Sequence, residues 1–317
     1  MERGHGLGVP GPHPGGSPIR TPAERFAEHP RLLYLLQIAP TLAFVVAFVF
    51  IPVASIFVWS FLRVENARFV PEFTLQAYYV LFGVGESAYL VDIFVRTLRV
   101  AVTQTLIALV LGFAVAYFVG IKMRGSRYAL PLLLLFAIPF LTSYLLRTLS
   151  WWLPLQERGV INVILGNLAA LLGLPFEPLK LLFTEFAVHV GLLSTYLPFM
   201  IFPIYLAMSR VDETVLQASA DLGGRPRHTV LRVVVPLVLP GMLIGSVFVF
   251  VGVMGDSVVP LFLGGPGNSL IAQLIDQAVA GQRWNLAAAI ASVILAIALV
   301  LIIAWERFFG LRRIGEI

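Results

Sequence analysis

Long uninterrupted apolar runs dominate this 317-residue chain. A helix needs about 20 predominantly apolar residues to cross the hydrocarbon core of a bilayer. Runs at roughly 33–61, 94–120, 129–148, 181–208, 236–262 and 285–305 meet that requirement. Hydrophobic residues make up 59% of the chain and charged ones 12%, about half the charged share of an ordinary soluble domain. With a mean hydropathy of +0.91, the excess cannot be hidden in one globular core of this size. The sequence predicts an all-α integral membrane protein with six transmembrane helices. As readings of the whole chain, a disordered polypeptide, a disulfide-stapled secreted domain and a nucleic-acid-binding module are excluded.

The pI near 9.7 is then a matter of topology, because Lys and Arg are retained on the cytoplasmic side during insertion. With both termini inside, 14 of the 22 basic residues fall on the cytoplasmic side, in the N-terminal tail, the 121–128 and 209–235 connections and the C-terminal end. The 121–128 connection carries Lys122, Arg124 and Arg127 and no acid, whereas residues 62–92 hold Glu65, Glu72, Glu86 and Asp92 against Arg63 and Arg68. An N-in, C-in arrangement follows. Residues 1–30 form an expected disordered cytoplasmic tail, since the first 18 positions hold six Gly and four Pro. They lack the short apolar stretch and cleavage site of a secretory signal. Residues 31–307 are the expected transmembrane domain, and 308–317 a short basic cytoplasmic tail. No internal repeat is visible, which argues against the inverted-repeat secondary carriers.

Chemistry at a catalytic centre is poorly supported. Cysteine is absent, which removes disulfides, thiolate nucleophiles and Cys-based metal sites. The five histidines are far apart, none at the i, i+4 spacing of a helical metal site, so no metal is expected. A phosphate-cradling Gly-x-x-x-x-Gly-Lys-Ser/Thr loop is missing, for the only lysines, Lys122 and Lys180, follow Ile121 and Leu179. Ser and His are scattered between tail, spans and loops without a candidate triad. The chain is read as a non-enzyme that binds no cofactor itself.

The 209–235 connection has local structure written into it. Asp212 or Glu213 can cap a helix over about 213–222, and Gly223-Gly224 provides the left-handed stop that helix C-termini favour. Pro226 stands where a second short helix would begin and where its missing N–H costs nothing. Such a helix–glycine turn–helix could simply lie on the membrane, with Arg225, Arg227 and Arg232 toward lipid phosphates. Its spacing, however, resembles that of the permease subunits of ATP-binding cassette (ABC) importers, whose signature is Glu-Ala-Ala, three residues, Gly, nine residues, Ile-x-Leu-Pro. Here Gln217-Ala218-Ser219, Ala220-Asp221-Leu222, Gly223, nine residues and Val233-Val234-Val235-Pro236 fall in that register. Gln217 and Ser219 depart from it.

The likeness extends over about residues 31–307 and is similar to the spermidine/putrescine permease branch. It is carried by Asp221-Leu222-Gly223, Pro236-Leu237-Val238-Leu239-Pro240-Gly241, Gly255-Asp256-Ser257-Val258-Val259-Pro260 and Leu263-Gly264-Gly265-Pro266. Leu146-Arg147-Thr148-Leu149-Ser150-Trp151, Thr184-Glu185-Phe186-Ala187 and Tyr196-Leu197-Pro198-Phe199-Met200 add to it. The resemblance implies a multi-pass subunit of a bacterial cytoplasmic (inner) membrane, working with cytoplasmic ATPase subunits that bind ATP and Mg, a second homologous permease in a heterodimer, and an extracytoplasmic substrate-binding protein. It implies that residues 213–229 couple to the ATPase, with Glu213, Gln217, Ala218, Ser219, Asp221 and Gly223 as the contact set and Pro236 ending the element where span 5 starts. Losing a Glu at Gln217 leaves a weaker hydrogen bond in place of an ion pair, and Glu213 is the alternative contact.

Ionisable groups inside a span cost several kcal/mol unless paired or hydrated. Asp256 is therefore a candidate partner for a substrate ammonium, against the alternative of a cap on a helix break bracketed by Gly255 and Pro260. Glu185, Tyr196 and Trp151 are further pathway candidates, although a boundary carboxylate and paired Trp151 and Trp152 are also expected at an interface. Tyr144 and Tyr34 fit either role. Arg96, Arg99 and Arg147 are expected to snorkel or to pair with Glu185 or Asp92, and His189 to be a packing residue. The sequence thus points to an importer permease for a small polar solute, polyamine foremost. An opine, amino-phosphonate or metal-organic cargo is the first alternative, and an ion-coupled secondary transporter or channel the second.

Overall fold

The computed structural model describes residues 30–83 and 88–309. They separate into two units, residues 30–55 and 56–309. The expected tail over 1–30, but for Pro30, and the last residues of the chain, 310–317, lie outside the described residues.

The first unit is helical and, from Ile38 onward, mostly apolar. It comprises α1 (Pro30–Val45), a π-helical turn at Val46–Phe50 and the start of α2 (Ile51–Ser60). Ile38, Leu42, Phe44, Phe48 and Phe50 are all exposed, and a helix apolar all round is at home against lipid tails. Ile38–Ser60 is long and apolar enough to cross a bilayer.

In the second unit, β1 (Leu62–Glu65) and β2 (Arg68–Phe73) form an antiparallel hairpin, a small departure from the expected all-α chain. Its two turn residues, Asn66 and Ala67, both have positive φ, 48° and 62°, as tight hairpin turns demand. Then follow α3 (Gln76–Leu81) and the long α4 (Ala88–Tyr117), which runs on through a π turn to Lys122. The chain continues as α5 (Ala129–Leu135), α6 (Tyr144–Ser150), α7 (Trp152–Leu155), α8 (Val160–Leu171) and α9 (Glu185–Ser209). After these come α10 (Glu213–Asp221), α11 (Pro226–Thr229), α12 (Val235–Met254), α13 (Ile271–Ala280) and α14 (Trp284–Phe309).

Among the described residues, five helices have the length and apolarity of a span: Ile38–Ser60, Tyr89–Lys122, Glu185–Ser209, Pro226–Met254 and Trp284–Ala304. The run expected as span 3, at 129–148, differs. It breaks into α5, a 3-10 turn at Ile138–Leu141 and the start of α6. Pro139 supplies no backbone N–H, and Thr142 leaves the helix with extended backbone. Span 5 is also displaced: its helix starts at Pro226, ten residues before Pro236, and stops at Met254. Apolarity sets the candidate length, but the break at Gly255-Asp256 sets the end.

The core lies where α4, α9 and α12 meet. Buried Val100, Ala108, Leu192, Met200, Ile204 and Val249 belong to one apolar cluster. Small residues let the three axes approach. A Cβ on Gly112 would lie 2.7 Å from Met200 Cγ, and one on Gly245 would lie 2.7 Å from Met200 Sδ. Since lipid tails are as apolar as Leu, close packing at small residues drives such helices together.

Candidate functional site

Two places concentrate the chemistry. The first is the break after α12. Asp256 is only 4% exposed and is the one charged side chain among the buried polar residues described. Its Oδ1 accepts the Val259 backbone N–H at 3.0 Å, so it caps the turn that restarts at Pro260–Gly264. Its Oδ2 accepts the Tyr144 hydroxyl and, at 3.1 Å, the Tyr196 hydroxyl. The Tyr196 hydroxyl also lies 2.9 Å from the Gly252 carbonyl. Only a residue without a side chain tolerates that approach: a Cβ on Gly252 would stand 2.3 Å from the Tyr196 ring. One carboxylate thus joins α6, α9 and the end of α12, accepting from the Val259 N–H and the Tyr144 hydroxyl and sharing the single Tyr196 hydroxyl proton with the Gly252 carbonyl, since burial requires partners.

Arg147, one turn along α6 from Tyr144, is half-buried. Its guanidinium donates to the Pro139 carbonyl at 2.6 Å and lies 5.8 Å from the Tyr144 ring. It does not snorkel outward. The broken helix is what makes this possible, because the interruption at 139–143 turns the Pro139 carbonyl, which also accepts the Thr142 hydroxyl at 3.0 Å, toward a new helix start.

The other pathway candidates are dispersed. Tyr196 belongs to the Asp256 junction. Glu185 opens α9 and receives Arg99 at 2.5 Å, with His189 Nε2 at 3.8 Å on the same helix. His189 Nδ1 meets Gln104 at 2.8 Å. Arg96 reaches the Gly267 carbonyl. Trp151 is half-buried and packs on the main core cluster, whereas Trp152 sets its ring edge-on to Phe183 at 5.4 Å. Glu185 and Trp151 have no hydrogen bond to the Asp256 junction. Sequence reasoning missed the specific partnership of Tyr144 with Asp256, since residues 112 apart carry no local signal of contact. It missed Asn162 too, which clamps residues 156 and 179 through hydrogen bonds of 2.8–3.2 Å. Among the described residues no three His, Asp or Glu side chains gather as a metal site.

The second place is the 209–235 connection. Asp212 is the N-cap of α10, accepting the Thr214 N–H at 3.0 Å. That backbone bond holds its carboxyl below the usual carboxylate range. The cap is therefore present at neutral pH and weakens only as the pH falls through that lowered value. The helix stops because Gly223 takes φ +74°, a left-handed conformation in which a side chain would strain the backbone. Gly224 is needed for a different reason: its N–H bonds the Ser219 carbonyl at 2.9 Å, and a Cβ there would lie 2.5 Å from that oxygen.

Ser219 Oγ lies 2.8 Å from Thr229 Oγ1 and pins α10 to α11. The serine that departs from the resembled signature thus has a local task. Gln217 reaches back to Glu213 at 3.5 Å. Glu213, Gln217, Ala218, Asp221, Gly223 and Pro236 are all exposed, and Leu222 at the turn is 89% exposed. Contrary to the sequence expectation, nothing ends at Pro236. A π turn at Val230–Val234 precedes it, absorbing the hydrogen bond that proline cannot make, and the helix continues into α12. Arg124, from the 121–128 connection, donates to the Met208 carbonyl at 3.2 Å, so both basic connections lie at one end of α9.

Residues 108–311 match the family described as "Binding-protein-dependent transport system inner membrane component". The chain belongs to this family. It is 33% identical over 274 residues to the spermidine/putrescine transport system permease protein PotB of Escherichia coli (strain K12), covering 85% of this chain and 96% of that one. It is 34% identical over 232 residues to the inner membrane ABC transporter permease protein YdcU of the same organism, covering 69% and 71%. The fold is shared with a crystallised bacterial alginate ABC transporter in complex with an alginate pentasaccharide-bound periplasmic protein. That likeness has a TM-score of 0.68 at 16% identity, over 90% of this chain and 98% of the other. The chain is the permease of an ABC importer, a multi-pass inner-membrane subunit and not the catalytic one.

Proposed function

We propose that this permease carries polyamines such as spermidine and putrescine into the cytoplasm, driven by a separate ATPase. Its pathway is shared with a second, homologous permease and supplied by an external substrate-binding protein. The six crossings run from an inside N-terminus to an inside C-terminus, with the broken α5–α6 stretch as the third. The observation that carries the coupled mechanism is the helix–glycine turn–helix over 213–229, built at one end of the bundle with its contact residues turned outward. There α10 docks in a groove of the ATPase that binds ATP and Mg, and the unbroken helix from Pro226 to Met254 passes the motion toward Asp256.

Asp256 is the amine ligand in this reading. Its bonds to Tyr144 and Tyr196 hold the carboxylate while the pathway is empty, and a substrate ammonium replaces a hydroxyl when it is occupied. A charge-assisted bond is roughly twice as strong as a neutral one, which favours the exchange. The test is uptake in cells lacking their own polyamine importers that express this permease with its partners. Labelled spermidine should accumulate and excess putrescine should compete. Uptake of an opine or 2-aminoethylphosphonate with no uptake of polyamine would reassign the cargo and leave Asp256 as a cap.

A further inference from the structure

Beside the Asp256 junction stands a row of aromatic rings outside the coupling segment; Phe202 packs on a buried apolar cluster, whereas Phe140, Phe199 and Phe248 are exposed. Phe199 follows Tyr196 by one helical turn on α9, with ring centroids 6.1 Å apart. Phe140, from the 3-10 turn that interrupts the third apolar run, meets Phe199 edge-on at 5.0 Å. Phe248 of α12 lies 6.5 Å from Phe199, and Phe202, one turn further along α9, lies 6.2 Å from Phe140.

None of these four pairs is stacked, with interplanar angles of 40–85°, so no ring lies flat on another. Phe140, Phe199 and Phe248 are all exposed within this chain, Phe199 at 38%. The row starts at the one buried charged residue described, a carboxylate, and three separate elements contribute to it. An apolar surface for lipid could be built equally from Leu and would have no reason to begin at an anion. A carboxylate followed by exposed aromatic rings has the chemistry of a path for an organic cation, because ring faces attract ammonium groups without binding them as tightly as an ion pair.

We propose that Phe199, with Phe140 and Phe248 around it, forms a cation–π track along which a polyammonium chain leaves Asp256, one ammonium held by the carboxylate while the next is passed between rings. The proposal rests on the polyamine reading above. It adds that selectivity resides partly in this permease, in residues distinct from the coupling segment.

The test compares Phe199→Leu and Phe199→Trp in proteoliposomes holding the complete transporter, with spermidine delivered by the binding protein. Equal amounts of assembled complex are first verified by size-exclusion chromatography. Leu preserves apolar bulk and removes the π face, whereas Trp offers the strongest face. The track predicts that Leu lowers the initial rate of spermidine uptake about tenfold, while Trp keeps it within about twofold of wild type. Wild-type-like uptake by the Leu variant, or equal loss in both variants, overturns the track and leaves the polyamine function standing. A wild-type transporter that moves no polyamine overturns both.

Discussion

Around Asp256 the polar side chains are turned inward and answer one another, whereas along residues 213–223 they are turned outward and answer almost nothing. Tyr144, Tyr196 and the Val259 N–H meet the carboxylate from three directions. Glu213, Gln217 and Asp221 share one long hydrogen bond between them, and α10 buries no residue. A buried charge without partners is costly, so the junction has to be complete within the chain. An exposed segment has no such requirement, and it can be shaped for a surface that another subunit brings. Substitutions at the junction should therefore change the stability of the permease itself. Those in the turn should change transport while the permease keeps its fold.

The largest effect should come from Gly252→Val, which drives side-chain atoms into the Tyr196 ring and displaces that residue from Asp256. Overpacking of this kind costs roughly 1–3 kcal/mol, with an orphaned hydroxyl adding to it. A clear fall in thermal unfolding temperature in detergent, together with loss of uptake, is expected. Gly223→Val is the contrasting case. No atom lies within 4 Å of a Cβ there, so the obstacle is only the left-handed backbone, about 1–2 kcal/mol. Strain in this exposed turn is relieved by local rearrangement, so insertion and melting of the permease should change little, while co-purification of the ATPase and coupled uptake fall at least tenfold. Normal uptake by this variant would remove the coupling role from the turn.

Asp256→Asn sharpens the comparison from the other side. The amide oxygen can still cap Val259, so the fold should lose only about 1 kcal/mol, but the charge is gone. Uptake of spermidine should drop more than stability does. Unchanged uptake with lower thermal stability would make Asp256 a cap alone. The smallest effect is expected from Gln217→Glu. It should tighten ATPase association by a few tenths of a kcal/mol and leave unfolding of the permease alone where it was.

What could be read in the sequence divides along the same line. The α10–turn–α11 segment is determined by neighbours in the chain, a cap at Asp212, a left-handed Gly223 and Pro226 at a helix start, and each signal is local. The apolar runs also disclosed most of the crossing helices. Their ends were less accessible, because hydrophobicity does not register that Pro139 divides one run or that Gly255-Asp256 stops another. The continuity of helix through Pro236 was hidden too, since a π turn has no sequence mark that distinguishes it. At the junction, Asp256 stood out as a charge in an apolar stretch, yet its partners come from 112 and 60 residues away. Only the packing of α6 and α9 against the end of α12 brings them together, and the close approach at Gly252 is the detail that permits it.

The most direct test of an ATP-driven pathway is uptake by proteoliposomes made with the permease pair, with or without the ATPase, and supplied with the loaded binding protein. The account predicts spermidine accumulation only when the ATPase and ATP are both present, with no response to an imposed proton or sodium gradient. Accumulation by the permeases alone under an ion gradient would contradict it, and residues 209–235 would then be a surface helix pair.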